Sequence, residues 1–121
     1  VANSARSQLA EGIGRSLAPE GVRVSSAGSE PTSIRPEALE ALRELRIDVR
    51  GLHSKGMEQV EGPVDAVITL CSEQVCPVWL ERAWRLHWAL PDPAAVEGPG
   101  RMDAFREVRD ELSRRLAIFF G

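Results

Sequence analysis

The residues of this chain that could do chemistry fall in separate places: a polar loop of Asn3, Ser4, Arg6 and Ser7, the cysteines Cys71 and Cys76, and Asp92 between two prolines. The loop runs straight into an apolar periodicity that begins with Leu9, Ala10 and Ile13. Amides curled ahead of a helix N-terminus converge on one spot, and the helix dipole favours negative charge there. Arg6 adds a planar fork of donors suited to bidentate grip on a tetrahedral oxyanion. By itself the same N-S-A-R-S run also reads as a helix start whose polar side chains satisfy orphan amides. The cysteines are too few for a secreted disulfide scaffold, and only Ser72-Glu73-Gln74-Val75 separates them. That spacing suits a reactive pair in a reducing compartment, against the plain alternative of two small buried hydrophobes. Asp92 offers either an acid or a turn-shaping side chain. A zinc site from Cys71, Cys76, His53 and His87 does not fit, because the histidine spacings match no compact ligand motif. His87 reads as structural.

The totals narrow the partners. With 121 residues there is room for one domain and one core. A formal net charge of −3 argues against nucleic acid, so an anionic substrate must be held by local donors and not by a global field. No run reaches the roughly 18 apolar residues of a membrane span, and no signal peptide is visible.

The elements that must position these residues follow from periodicity. Ala5, Leu9, Ile13 and Leu17 predict a first helix, stopped at Pro19 and Gly21 and weakened by Gly12 and Gly14, so that packing must hold it. Val22–Ser25 predicts a short strand, and Ser29–Arg35 a loop. Pro36 opens a second helix whose apolar face is Ala38, Leu39, Leu42 and Leu45, with acids early and arginines late. A short helix is expected around Met57–Val60, and a helical turn over Val78–Arg82. Val64–Leu70 predicts a parallel strand buried on both faces, and Leu86–Leu90 the last strand. The final helix is expected from Met102 to Phe119, with its arginines on a solvated face and Trp79, Trp84 and Trp88 in core and loop packing. Strands separated by helices imply α/β architecture, in which ligands bind beyond the strands' carboxyl ends. Cys71 and Asp92 each follow a predicted strand, and the Val1–Ser7 loop would follow another lying ahead of Val1.

With a cysteine ahead of Val1 the loop would read C-x5-R-S. On that pattern, and on VANSARSQLAEG, VSSAGSEP, IDVRGLHSKG, VDAVITLC, the Cys71/Cys76-Pro pair, HWALPDPAA and FREVRDEL, the chain resembles the thioredoxin-coupled arsenate reductases of the low-molecular-weight phosphatase superfamily. The resemblance covers nearly the whole length in the family's order. It implies a single domain over 1–121, with a four-stranded parallel sheet in the order 2-1-3-4 flanked by helices. It also implies that the first strand and a nucleophilic cysteine stand ahead of Val1. The backbone amides of Val1, Ala2, Asn3, Ser4 and Ala5, with the Arg6 guanidinium, would hold the oxyanion. Ser7 would hydrogen-bond the nucleophilic thiolate, and Asp92 would protonate the departing oxygen. Cys71 would resolve the cysteine–arsenic adduct, and Cys76 would then take the disulfide for thioredoxin to reduce. Arsenate is the implied substrate, with phosphate or sulfate as mimics. The expectation is a cytoplasmic monomer with no cofactor, no metal, no nucleic acid and no membrane partner.

This sequence departs from the family's pattern in places. The Cys71–Cys76 spacing is shorter than in the best-known members. Lys55 stands where some members carry an aspartate that helps bind potassium, so its ammonium is expected to occupy that cation's place. Ala5 and Ala94 stand where the tyrosine phosphatases of the superfamily usually carry a second loop cysteine and an aromatic residue, which favours the reductase. The rivals are such a phosphatase, hydrolysing phosphate monoesters with water, and a non-catalytic oxyanion-binding or regulatory domain.

Overall fold

In the computed structural model, which describes residues 3–28, 31–60, 62–71 and 83–121, helix α1 (Arg6–Leu17) rises directly out of the polar loop. Leu9 and Ile13 face inward and are fully buried. A Cβ at Gly12 would lie 2.7 Å from a Leu42 methyl, and one at Gly14 2.9 Å from a Val24 methyl. The glycines that weaken the helix are therefore what lets its neighbours close on it. The Ala18 amide bonds the Gly14 carbonyl, and Pro19 ends the helix.

Helix α2 (Pro36–Glu44) has proline in its first turn, and Ala38, Ala41 and Leu42 form its buried face. Helix α3 (Arg101–Phe120) contributes Phe105, Val108, Leu112 and Leu116. The three helices pack on one another around these side chains, joined by Leu90. Burying each large apolar side chain contributes about 1.5–3 kcal/mol relative to exposure. The expected solvated arginine face of α3 is corrected at one position. Arg109 is buried, donating to the Ala41 carbonyl and to Glu44 Oε1 at 2.6 Å. Arg106 reaches the same carboxylate, and hydrogen bonds from Arg106 first and Arg109 second pull the Glu44 pKa down to about 2. Charged side chains thus latch α3 to the end of α2.

Strands β1 (Ala66–Thr69) and β2 (Trp84–His87) pair in parallel, Ala66 opposite Trp84 and Thr69 opposite His87. The four-stranded sheet expected from sequence is not what the described residues form. They hold this two-stranded sheet and an isolated parallel bridge between Gly28 and Gly56. Val22–Ser25 runs without regular strand structure, because it has no ladder partner along its length. β1 is shorter than the apolar run 64–70 and only partly buried, not buried on both faces, since one of its edges borders a cavity. β2 starts two residues earlier than its apolar pattern suggested. The backbone contact nevertheless continues, Trp88 N–H to the Thr69 carbonyl and Leu90 N–H to the Leu70 carbonyl. Trp84 is 82% exposed and packs in no core, whereas Trp88 meets Phe119 edge-on and lies under Arg115. The short helix expected at Met57–Val60 is a 3-10 turn over Met57–Gln59. The expected turn at 78–82, Trp79 and part of the 29–35 loop lie outside the described residues. Among the described helices none is long and apolar enough to cross a membrane.

Candidate active site

The loop ahead of α1 takes its shape from Asn3. Its φ of 52° lies in the left-handed region, which asparagine tolerates better than most residues, and its side chain is almost fully buried. Its carbonyl and both polar atoms of its side chain are engaged. The Asn3 carbonyl accepts from Ser54 Oγ at 2.7 Å and from Gln8 Nε2 at 3.1 Å. Its Oδ1 accepts from Gln8 Nε2 and from the Lys55 amide, both at 2.9 Å. Its Nδ2 donates to Ser7 Oγ at 2.8 Å and to Ser26 Oγ at 2.9 Å. The Ser4 carbonyl accepts the Arg35 amide at 2.9 Å, which ties the loop to the start of α2. A strained conformation held by this many partners is pre-organised, so it need not be formed when a ligand arrives.

Below the loop lies a buried ion pair. Lys55 Nζ stands 2.9 Å from Glu11 Oε1, with Lys55 5% and Glu11 1% exposed. The same oxygen accepts the Ser26 amide and hydroxyl, each at 2.7 Å, and Oε2 pairs with Arg15 at 2.6 Å. A buried carboxylate demands this density of donors and countercharge.

Arg6, Ser7, Cys71 and Asp92 line one open cavity of about 980 Å³, together with Asn3, Ser4 and Ala5. Each is delivered by a different part of the fold. Arg6 opens α1 and donates from Nη1 to the Leu90 carbonyl at 2.9 Å, which sets the guanidinium beside the start of the Pro91–Pro93 turn. Asp92 Oδ1 accepts the Ala94 amide at 3.0 Å and caps a 3-10 turn at Pro93–Ala95, which fixes the carboxyl's rotation. Cys71 follows β1 by two residues, is 6% exposed and is disulfide-bonded. Residues far apart in sequence thus converge: a polar loop at a helix start, a planar cation, a carboxyl group and a disulfide-bonded sulfur.

Of the residues singled out from sequence, Asn3, Ser4, Ala5, Arg6, Ser7, Cys71 and Asp92 share this cavity. Val1, Ala2 and Cys76 lie outside the described residues. The turn-shaping role weighed for Asp92 is realised alongside its place in the cavity. The residues the sequence left unnoticed are those that hold the loop from beneath: Gln8, Glu11, Ser26 and Ser54. Their signal was available in part, since Gln8 and Glu11 are three apart on the face of α1 that also carries the buried Gly12.

The comparisons agree with this geometry. Residues 1–120 match the family described as low molecular weight phosphotyrosine protein phosphatase. An arsenate reductase of Halalkalibacterium halodurans is 38% identical over 97% of this chain and 88% of its own. A solved structure described as an arsenate reductase in the phosphate binding state superposes with a TM-score of 0.79 at 32% identity, over 98% of this chain and 90% of that one. A thioredoxin-dependent arsenate reductase of Corynebacterium glutamicum gives 0.71 at 28% identity, over 98% of this chain and 56% of that one.

Proposed function

The chain belongs to the low molecular weight phosphotyrosine protein phosphatase family, and from that premise we propose that it is an arsenate reductase, releasing arsenite through a cysteine–arsenic adduct and a dithiol relay. The observation that carries this reading is Cys71, a disulfide-bonded sulfur lining the same cavity as the Asn3–Ser7 cradle. Ester hydrolysis by water needs no such sulfur, whereas reduction of arsenic does. The chain has one other cysteine, Cys76, and we take the two as the relay pair.

In this reading a cysteine directly ahead of Val1 is the nucleophile. Its thiolate attacks arsenic held by Arg6 and the loop amides, and the Asp92 carboxyl gives its proton to the departing oxygen. Cys71 then attacks the nucleophile's sulfur. The electron pair of the sulfur–arsenic bond leaves with arsenic, which departs as arsenite, and a disulfide forms. Cys76 attacks Cys71 and frees the nucleophile, and thioredoxin, the donor named for the Corynebacterium relative, reduces the remaining bridge. The protein acts in this scheme as a cytoplasmic monomer. The four-stranded order belongs to the same proposal. A strand preceding the nucleophile would run between residues 22–26 and β1, and the cavity bordered by Val22–Ala27 on one side and Val64–Leu70 on the other supports that placement.

The intact gene product tests both parts. With thioredoxin and its reductase supplied, it is expected to release arsenite over many turnovers, and its amides along 22–26 and 66–69 to be protected from hydrogen exchange. Hydrolysis of phosphate esters without arsenite release would make it a phosphatase instead, and rapid exchange along both segments would refute the inserted strand.

A further inference from the structure

We propose that Thr69 and His87 form a proton-holding pair for Cys71, the Thr69 hydroxyl passing the thiol's proton to the His87 ring so that Cys71 attacks as a thiolate. The inference rests on the relay proposed above and adds to it two positioning residues. A resolving cysteine reacts only when ionised, and burial opposes that charge. Cys71 is 6% exposed, so its proton needs a defined acceptor.

The two strands supply one. Parallel pairing sets Thr69 opposite His87, and Thr69 Oγ1 lies 2.5 Å from His87 Nδ1. The pairing continues past β1, with the Trp88 amide on the Thr69 carbonyl at 2.8 Å and the Leu90 amide on the Leu70 carbonyl at 3.0 Å. Side chains alternate along such a run, so Cys71, two residues beyond Thr69, lies on the same face. Thr69 and Cys71 both line the cavity. Two residues of extended chain span about 6.6 Å, a gap that one bridging water covers.

A hydroxyl carries one hydrogen, and that sets the logic of the pair. When His87 Nδ1 bears no hydrogen, Thr69 gives its own to Nδ1 and offers the cavity only lone pairs, which suit a thiol. When Nδ1 bears a hydrogen it donates to Thr69 Oγ1, and the hydroxyl hydrogen turns to the cavity, where it suits a thiolate. Passing from the first state to the second breaks the Cys71 S–H bond, exchanges the hydrogen on Thr69 and forms an N–H bond on His87. The His87 side chain is exposed, so the imidazolium then hands its proton to water. The same pair serves the reduction step. When the external dithiol enters at Cys76, the Cys71 sulfur leaves as a thiolate and the turned hydroxyl receives it. Among the described residues, the other charged groups around this pair are Arg85 on the His87 face of β2, Asp65 alternating onto that side just ahead of β1, and Arg6 and Asp92 on the cavity with Cys71.

The pH profile of Cys71 alkylation by iodoacetamide, in the reduced intact protein, is the test, with the labelled sites mapped by peptide mass and arsenite release followed in parallel. Thr69→Val keeps the branched shape and loses the hydroxyl. It is expected to move the Cys71 midpoint up by about one pH unit, a tenfold loss of thiolate below the midpoint and the effect of about one hydrogen bond to a charged group. Thr69→Ser should restore the parental profile. His87→Phe should shift it up by about half as much, because the hydroxyl remains as a donor. Adding His87→Phe to Thr69→Val should change nothing further, since without the hydroxyl the ring is disconnected from the sulfur. An unshifted Thr69→Val, a Thr69→Ser that behaves like Thr69→Val, or additive shifts in the double variant overturn the pair. If Thr69→Val does not fold, His87→Phe decides alone on its exposed strand, and an unshifted midpoint overturns the pair. A parent that releases no arsenite removes the relay reading and this inference with it. An arsenite-releasing parent with unshifted variants overturns the inference alone.

Discussion

Replacing Arg6 by alanine is expected to lower the affinity for phosphate by about 2–3 kcal/mol, the scale of a charge-assisted, doubly hydrogen-bonding group. Arg6 supplies a charge to a chain whose formal net charge is −3, so nothing in the global field makes up for its loss. The loop around Asn3 is expected to keep its shape, because the Asn3 carbonyl and side chain are held by Gln8, Ser54 and Lys55. Arg6→Lys restores the charge but not the planar fork, and is expected to recover only part of the affinity. Arg6→Ala also frees the Leu90 carbonyl, now bonded at 2.9 Å, and so loosens the turn that carries Asp92. Calorimetry with phosphate measures the first effect. Equal affinity in the parent and Arg6→Ala would remove Arg6 from the oxyanion site.

The helices were legible in the sequence because each solves its burial problem alone. Leu9 and Ile13, Ala38 and Leu42, and Phe105, Val108, Leu112 and Leu116 recur at the helical period, and the structure places their helices within a residue or two of the expected ends. Strands are different, since a ladder needs a partner that sequence periodicity does not name. Val22–Ser25 alternates like a strand yet takes no strand structure beside an open cavity. Trp84–His87 is a strand although all its side chains are exposed, because β1 sets its register. The chemical residues were legible by type, and their convergence by the rule that parallel sheets bind ligands at their carboxyl ends. What the sequence could not display is the support beneath them. A glutamate on a helix reads as a solvated charge, and only the closeness of Ser26, Arg15 and Lys55 makes Glu11 a buried anchor. The arginine pattern of α3 failed for the same reason, since Glu44, 65 positions from Arg109, is what draws Arg109 inside.

Cys76→Ser, in the intact protein, is expected to release arsenite once per molecule and then stop. The first two steps of the proposed relay use the nucleophile and Cys71, so one arsenite leaves and a bridge between those two sulfurs remains. Without the Cys76 thiolate nothing within the chain displaces the nucleophile from that bridge, and turnover ends. Cys71→Ser should fail earlier, with the arsenic adduct unresolved, because a hydroxyl is a poor attacker of sulfur at neutral pH. Hydrolysis of phosphate esters should survive both changes, since water takes the place of the second thiol. The bridge is suited to exchange and not to stapling, for a loop as short as Cys71 to Cys76 contributes little by restricting the unfolded chain. Cys71 is 6% exposed, and the proposed relay accordingly has the external dithiol enter the pair at Cys76. Arsenite released per molecule, with thioredoxin and its reductase present, together with peptide mapping of the bridges, decides the matter. If Cys76→Ser turns over repeatedly at the parental rate, the second cysteine takes no part in the relay.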